Sequence, residues 1–204
     1  MLVAFLIAAA VLALTPGPGI AYVVARTAAG GRTVGLASCI GTAIGGMVHV
    51  LAAAIGLSVL IAQSAFAFGA VKYAGAAYLA YLGLRMLVRS EEPIASVEVR
   101  PQPARHALLE GIAVEALNVK TALFFVAFLP QFASPQAPLV PQLVALGAVC
   151  VVLNTTVDVF AVFAADRLLA PDAARSARAR VITRTSGITM LGLAAWLALA
   201  DRKA

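Results

Sequence analysis

The sequence predicts an all-α membrane protein: six transmembrane helices forming two inverted repeats of three, the first helix broken near its middle. Three observations carry this. Of 204 residues, 62% are hydrophobic and only 12% charged, with a mean hydropathy of +0.98. Soluble domains carry about 25% charged residues. The apolar residues fall into runs long enough to cross a bilayer, which takes about 20 residues each. The first run is interrupted by Thr15, Pro16, Gly17, Pro18 and Gly19. Proline removes a backbone donor and glycine loosens the turn, so these residues cannot form a regular helix interior. At bilayer depth, open backbone is tolerated only where it is buried in protein or lines a cavity.

The spans are expected at residues 2–25, 33–62, 71–88, 107–129, 139–165 and 182–200. Met1 to Leu14 has no basic segment ahead of its apolar run, and the run continues past the break, so it reads as a retained span. The uncharged stretch 33–71 is too long for one crossing, and Gln63, Ser64 and Gly69 mark the turn within it. The loop 134–142 has three prolines and no charge, which suits a short external connection. The whole chain 1–204 is one polytopic domain, with halves at about 1–90 and 107–201 and a cytoplasmic linker at about 89–106.

The net charge of +6 belongs to loops and orientation. Arg26, Arg32, Arg85, Arg89, Arg100, Arg105, Arg167, Arg175, Arg178, Arg180 and Arg184 fall on one side; Lys72, Arg202 and Lys203 fall on the other. The positive-inside rule places the first group in the cytoplasm and both termini outside. The lipid bilayer is then the first expected partner of the chain. No basic run is interleaved with aromatics, so nucleic acid is not an expected partner.

The two halves echo each other weakly. Lys72, Tyr73, Ala74 and Gly75 open the third span, and Arg184, Thr185, Ser186 and Gly187 open the sixth. Leu82 and Gly83 follow in one, Leu191 and Gly192 in the other. Inverted repeats with interrupted helices at corresponding positions are a mark of secondary transporters.

Four elements together resemble the LysE/RhtB family of amino-acid exporters. They are Thr15-Pro16-Gly17-Pro18; Gly31-Arg32-Thr33-Val34-Gly35-Leu36; Lys72 to Leu79 followed by Leu82-Gly83; and Asn118-Val119-Lys120 followed by Leu123-Phe124-Phe125 and Phe128-Leu129-Pro130-Gln131-Phe132. Each is weak alone; their order and spacing are specific. The resemblance implies efflux of amino acids or derivatives across a bacterial cytoplasmic (inner) membrane by alternating access and proton antiport, with no cofactor. Its RhtB branch points to neutral substrates of homoserine, threonine or leucine type. Three departures bear on substrate choice. Gly19 stands where the family usually has asparagine, Val119 where it usually has proline, and Glu115 where it commonly has an uncharged residue. Without the proline, the fourth span is expected to be less broken.

Several residues are candidates for the chemistry. Lys120 lies ten residues beyond Glu110, roughly 15 Å at helical rise. An ionised lysine at that depth costs roughly 2.5–3.5 kcal/mol, so it needs an acidic partner, a ligand or water. Asp158 is the natural counterpart, either as a fixed partner or as a group that exchanges a proton. Asn154, Thr155 and Asp158 share one helix face. Thr15, Pro16, Gly17, Pro18 and Gly19 offer backbone groups, with Asn118 opposite, so the expected substrate set is these residues plus Lys120, Asn154 and Asp158. Asp158, His49 and Glu115 are the proton-coupling candidates. His49 shares a small-residue face with Gly41 and Gly45, which directs it into the bundle.

No Ser/His/Asp arrangement, metal-ligand cluster or phosphate loop is apparent, so neither an enzyme nor a metal site is expected. Cys39 and Cys150 read as packing residues. The glycine faces leave room for a homodimer. An exporter of another small solute or cation, or a membrane scaffold without transport, stays open at this point.

Overall fold

A computed structural model describes residues 2–63, 65–88, 102–168, 184, 188, 191–195 and 197–199. Helices α1 (Leu2–Leu14), α2 (Pro18–Gln63), α3 (Ala65–Val88), α4 (Ala104–Ala116), α5 (Val119–Phe128) and α6 (Leu139–Leu168) follow in order. A 3-10 turn, Leu129–Phe132, extends α5. No strand occurs among the described residues, and the all-α class stands.

Proline sets the first break. Thr15 precedes Pro16 and is pushed out of the helical region. Its hydroxyl folds back to donate to the Val11 carbonyl at 2.6 Å. Pro18 then opens α2 at the first-turn position that needs no N–H donor. The connection expected between the first two spans is a single kink: α2 runs through it, bent at Gly31, whose φ is 76° and ψ −174°. Only glycine holds that backbone without strain. α2 ends at Gln63, but α3 starts at Ala65, six residues before the expected Val71, so Gly69, expected in the turn, lies inside a helix.

Two described helices are long and apolar enough to cross a membrane, Pro18–Gly56 and Leu139–Ala165. Ala104–Ala116 and Val119–Phe132, bent by 48°, make a third if taken as one broken span. α1 has 13 residues, about 20 Å of rise, so it crosses only together with the half-helix after the break. Nearly half of the sixth expected span lies outside the described residues, as do linker positions 89–101 and Arg175, Arg178 and Arg180. Within it, residues 191–195 and 197–199 are helical, with Ala194 and Leu197 buried in the main core.

The burial pattern is that of a lipid-solvated bundle. Leu6, Ile7, Ile44, Leu51, Phe160 and Phe163 face outward, while Glu115, Asn118, Thr121 and Asp158 are buried. Polar groups at bilayer depth belong in the interior. Aromatic packing closes one end: Phe124 stacks on Phe128 at 4.7 Å, and Phe5 of α1 meets Phe132 edge-on at 5.5 Å.

The small-residue face of α2 lets α4 approach to backbone contact. A Cβ on Gly41 would lie 2.2 Å from the Leu108 carbonyl oxygen, and one on Gly45 2.6 Å from that of Ile112. Backbone cannot swing aside, so Gly41→Val is expected to part the two helices. Overpacking of this kind costs about 1–3 kcal/mol. Gly56→Ala, with open space around its Cβ, is expected to be neutral or stabilising by up to about 1 kcal/mol. Thermal melts of the two variants in detergent check the contrast; equal melting temperatures would refute it.

Candidate functional site

The second break lies between α4 and α5. Leu117 N–H reaches back to the Ala113 carbonyl at 3.0 Å, and Asn118 N–H to that of Glu115 at 2.9 Å. Asn118 then caps α5, its side-chain oxygen accepting from Lys120 N–H at 3.1 Å. An asparagine cap supplies what the opening turn needs without a proline. The fourth span is therefore broken although Val119 stands in the proline position. His49 Nε2 sits 2.7 Å from the same Glu115 carbonyl. A carbonyl only accepts, so Nε2 carries the hydrogen and the histidine helps to close the end of α4.

The two breaks face each other. Lys120 Nζ donates to the carbonyls of Thr15 at 2.9 Å and Leu12 at 3.3 Å. These groups end α1, where unsatisfied carbonyls carry partial negative charge. A Cβ on Gly17 would lie 2.9 Å from Nζ. Lys120 is thus not the fixed partner of Asp158: its ammonium is turned to the end of α1.

Asp158 is buried on α6 and accepts from the Thr42 hydroxyl of α2 at 3.0 Å. Glu115 is buried too, accepting from Thr121 Oγ1 at 2.7 Å and Asn118 Nδ2 at 3.0 Å. Thr42, Thr121, Asn154, Thr155 and both carboxylates line one cavity between α2, the α4–α5 break and α6. Phe125 and Val151 form its apolar side. The free volume is about 10 Å³, room for one water. Ligand sites for small molecules are of order hundreds of Å³, so the cavity in this conformation is too small to hold one.

The expected residues therefore divide into two adjoining groups. Asn154, Asp158 and Glu115 line the cavity. Lys120 and the break Thr15 to Gly19 lie behind Glu115, outside the lining, and Asn118 bridges the two groups by holding the Glu115 carboxylate. His49 touches the backbone of Glu115 and packs edge-on against Phe125 at 6.3 Å. Cys39 and Cys150 are buried in separate apolar clusters.

Thr42 and Thr121 line the cavity without any strong local signal in the sequence. The only signals were their places, one inside the small-residue face of α2 and the other three residues after Asn118 in the first turn of α5. A further tie was also unexpected. Tyr22 Oη donates to the Ala107 carbonyl at 2.7 Å, and Arg26 pairs with Glu110, fixing the half-helix after the first break to α4.

The family model for LysE type translocators matches residues 10–201. A membrane protein of Vibrio cholerae is 34% identical over 155 residues, covering 76% of this chain and 75% of the relative. A homoserine/homoserine lactone efflux protein of Salmonella typhimurium is 30% identical over 154 residues, covering 76% and 75%. A Bacillus subtilis membrane protein is 30% identical over 174 residues, covering 81% and 83%. No solved structure matches. The motifs from the TPGP break onward thus fall within one matched stretch, and the chain belongs to the LysE type translocator family.

Proposed function

We propose that this translocator exports amino acids or their derivatives, of neutral homoserine, threonine or leucine type, across the cytoplasmic membrane by proton-coupled alternating access. The observation that carries the reading is the meeting of two broken helices beside a cavity lined by buried Asp158 and Glu115. Names of relatives at 30% identity add support. The solute's ammonium is received at Asp158 and the Thr42 hydroxyl. Its carboxyl end, free or masked, lies toward the first break and Lys120. Proton entry from outside drives exchange through Asp158, with Glu115 and His49 as neighbours able to pass the proton on. The closed cavity is one state of a cycle in which two inverted halves rock about this site. Both termini face outward, and no enzymatic step is assigned.

The test is counterflow in proteoliposomes with labelled homoserine, threonine, leucine and lysine, with and without an imposed pH gradient. Uptake of neutral amino acids, accelerated by the gradient, is the expected result. A preparation that inserts and purifies well but exchanges none of the panel overturns the reading.

A further inference from the structure

Gly19 and Glu115 lie 96 positions apart yet occupy one piece of space. A Cβ on Gly19 would fall 2.6 Å from Glu115 Oε2, closer than side-chain carbons approach oxygen. Gly19 is itself buried. The carboxylate therefore lies in the volume that the missing side chain leaves open at the start of α2. It is held there on both oxygens, Oε1 by the Thr121 hydroxyl at 2.7 Å and Oε2 by Asn118 Nδ2 at 3.0 Å. Both donors come from the first turn of α5 or its cap. The side chain is 3% exposed, and it also forms part of the cavity wall that Asp158 completes.

The placement has an electrostatic consequence. The groups facing one another here are two carboxylates, Glu115 and Asp158, and one ammonium, Lys120, all within mutual electrostatic reach. Thr42, Thr121, Asn118, Asn154 and Thr155 add hydroxyls and amides but no charge. The Lys120 ammonium is already directed at the carbonyls ending α1. With all three ionised, these groups together carry one net negative charge, and His49, on the Glu115 carbonyl, is a further titratable group beside them. A zwitterion leaves that charge uncompensated, and its carboxylate must compete for Lys120 while lying near two anions. A solute with a protonated amine and a masked carboxyl group, such as an amide or ester, brings the net charge to zero. Charge attraction strengthens at short range in a partly buried site, so one unit of charge can decide between two solutes of the same shape.

We propose that Glu115, seated in the space Gly19 leaves open, is a specificity-determining residue that sets the net charge of the transported solute. Glu115 favours monocationic amino derivatives over zwitterions of the same side chain, and Gly19 is the positioning residue that admits its carboxylate. The proposal rests on the transport reading above and sharpens it. It differs from a packing role, because packing does not distinguish a solute from its amide.

The test is counterflow of labelled leucine, competed by unlabelled leucine or leucinamide, at a mildly acidic pH where the amide's amine is protonated. In the unchanged protein leucinamide is expected to compete better than leucine. Glu115→Gln keeps the shape and an acceptor oxygen but removes the charge. It is expected to shift the leucinamide-to-leucine preference toward leucine by about tenfold. Gly19→Ala, which displaces the carboxylate by contact, is expected to shift the preference the same way, and adding Glu115→Gln to it should change little more. A preference unmoved in Glu115→Gln, or both competitors weakened equally, overturns the proposal and leaves the transport reading standing. If Glu115→Gln does not insert, Gly19→Ala reads out the same ratio, and an unmoved ratio there overturns it as well. Absence of counterflow in the unchanged protein instead overturns the transport reading, and the proposal falls with it.

Discussion

Replacing Asp158 by asparagine is expected to reduce counterflow tenfold to a hundredfold, while the protein still inserts and melts close to its original temperature. Asparagine matches aspartate in shape, and its side-chain oxygen can keep the 3.0 Å bond from the Thr42 hydroxyl. The local packing is therefore retained, and a neutral hydrogen bond differs from a charged one by only about 1 kcal/mol in stability. In the proposed reading the missing charge acts on the solute's ammonium. A tenfold to hundredfold loss corresponds to about 1.4–2.8 kcal/mol, a modest part of the attraction between an ammonium and a carboxylate in a partly buried site. Asp158→Glu keeps the charge but adds a methylene beside about 10 Å³ of free volume, and intermediate activity is expected. Counterflow rates beside detergent melts separate the two effects. Full activity in Asp158→Asn removes the carboxylate from solute binding and from proton exchange.

Lys120→Ala is expected to lower export from loaded vesicles at least about tenfold, through the breaks as well as through lost charge. The lysine ammonium bonds the carbonyls of Leu12 and Thr15. Truncating it leaves two acceptors at the end of α1 unpaired in a low-dielectric interior, each at roughly 1–3 kcal/mol. The alignment of α1 on the α4–α5 break then has no cation to hold it. About 2 kcal/mol would reduce the population of the aligned state by roughly thirtyfold. Lys120→Arg restores the charge but brings a larger head against Gly17, where even a Cβ would sit 2.9 Å from Nζ. Partial recovery is the expected outcome. Undiminished export by Lys120→Ala, in protein shown to be inserted, removes the residue from the mechanism.

Much of the architecture was legible from local rules. The uncharged runs announced helices, and Pro16 and Pro18 announced the end of one helix and the start of the next. The second break was legible only in part. A proline at position 119 would have marked it locally and Val119 does not, but the Asn118 cap does the same work. The connection between the first two spans was misjudged because Gly31 turns the chain within one residue, whereas apolar patterning suggested a loop. The site was legible as a set of depths rather than as contacts. Helical rise put Lys120 roughly 15 Å beyond Glu110, but the contacts of Lys120 with Thr15, of His49 with Glu115 and of Asp158 with Thr42 came only from the fold.

By itself the sequence determined that this chain dissolves in lipid, that its first span is interrupted, and that a few ionisable residues sit too deep to be there by accident. Those facts follow from composition and spacing, because transfer to a bilayer and helix breaking act residue by residue. Which groups pair was decided only by the fold. Glycines at positions 41, 45 and 111 bring α2 and α4 to backbone contact, and that approach fixes the crossing. The same crossing brings Glu115 into the gap at Gly19, as α6 brings Asp158 to Thr42, and Lys120 closes onto the end of α1. A hydrogen bond is made or lost over less than 1 Å. Partners 96 to 116 positions apart are therefore set by the way helices cross, which no local pattern encodes.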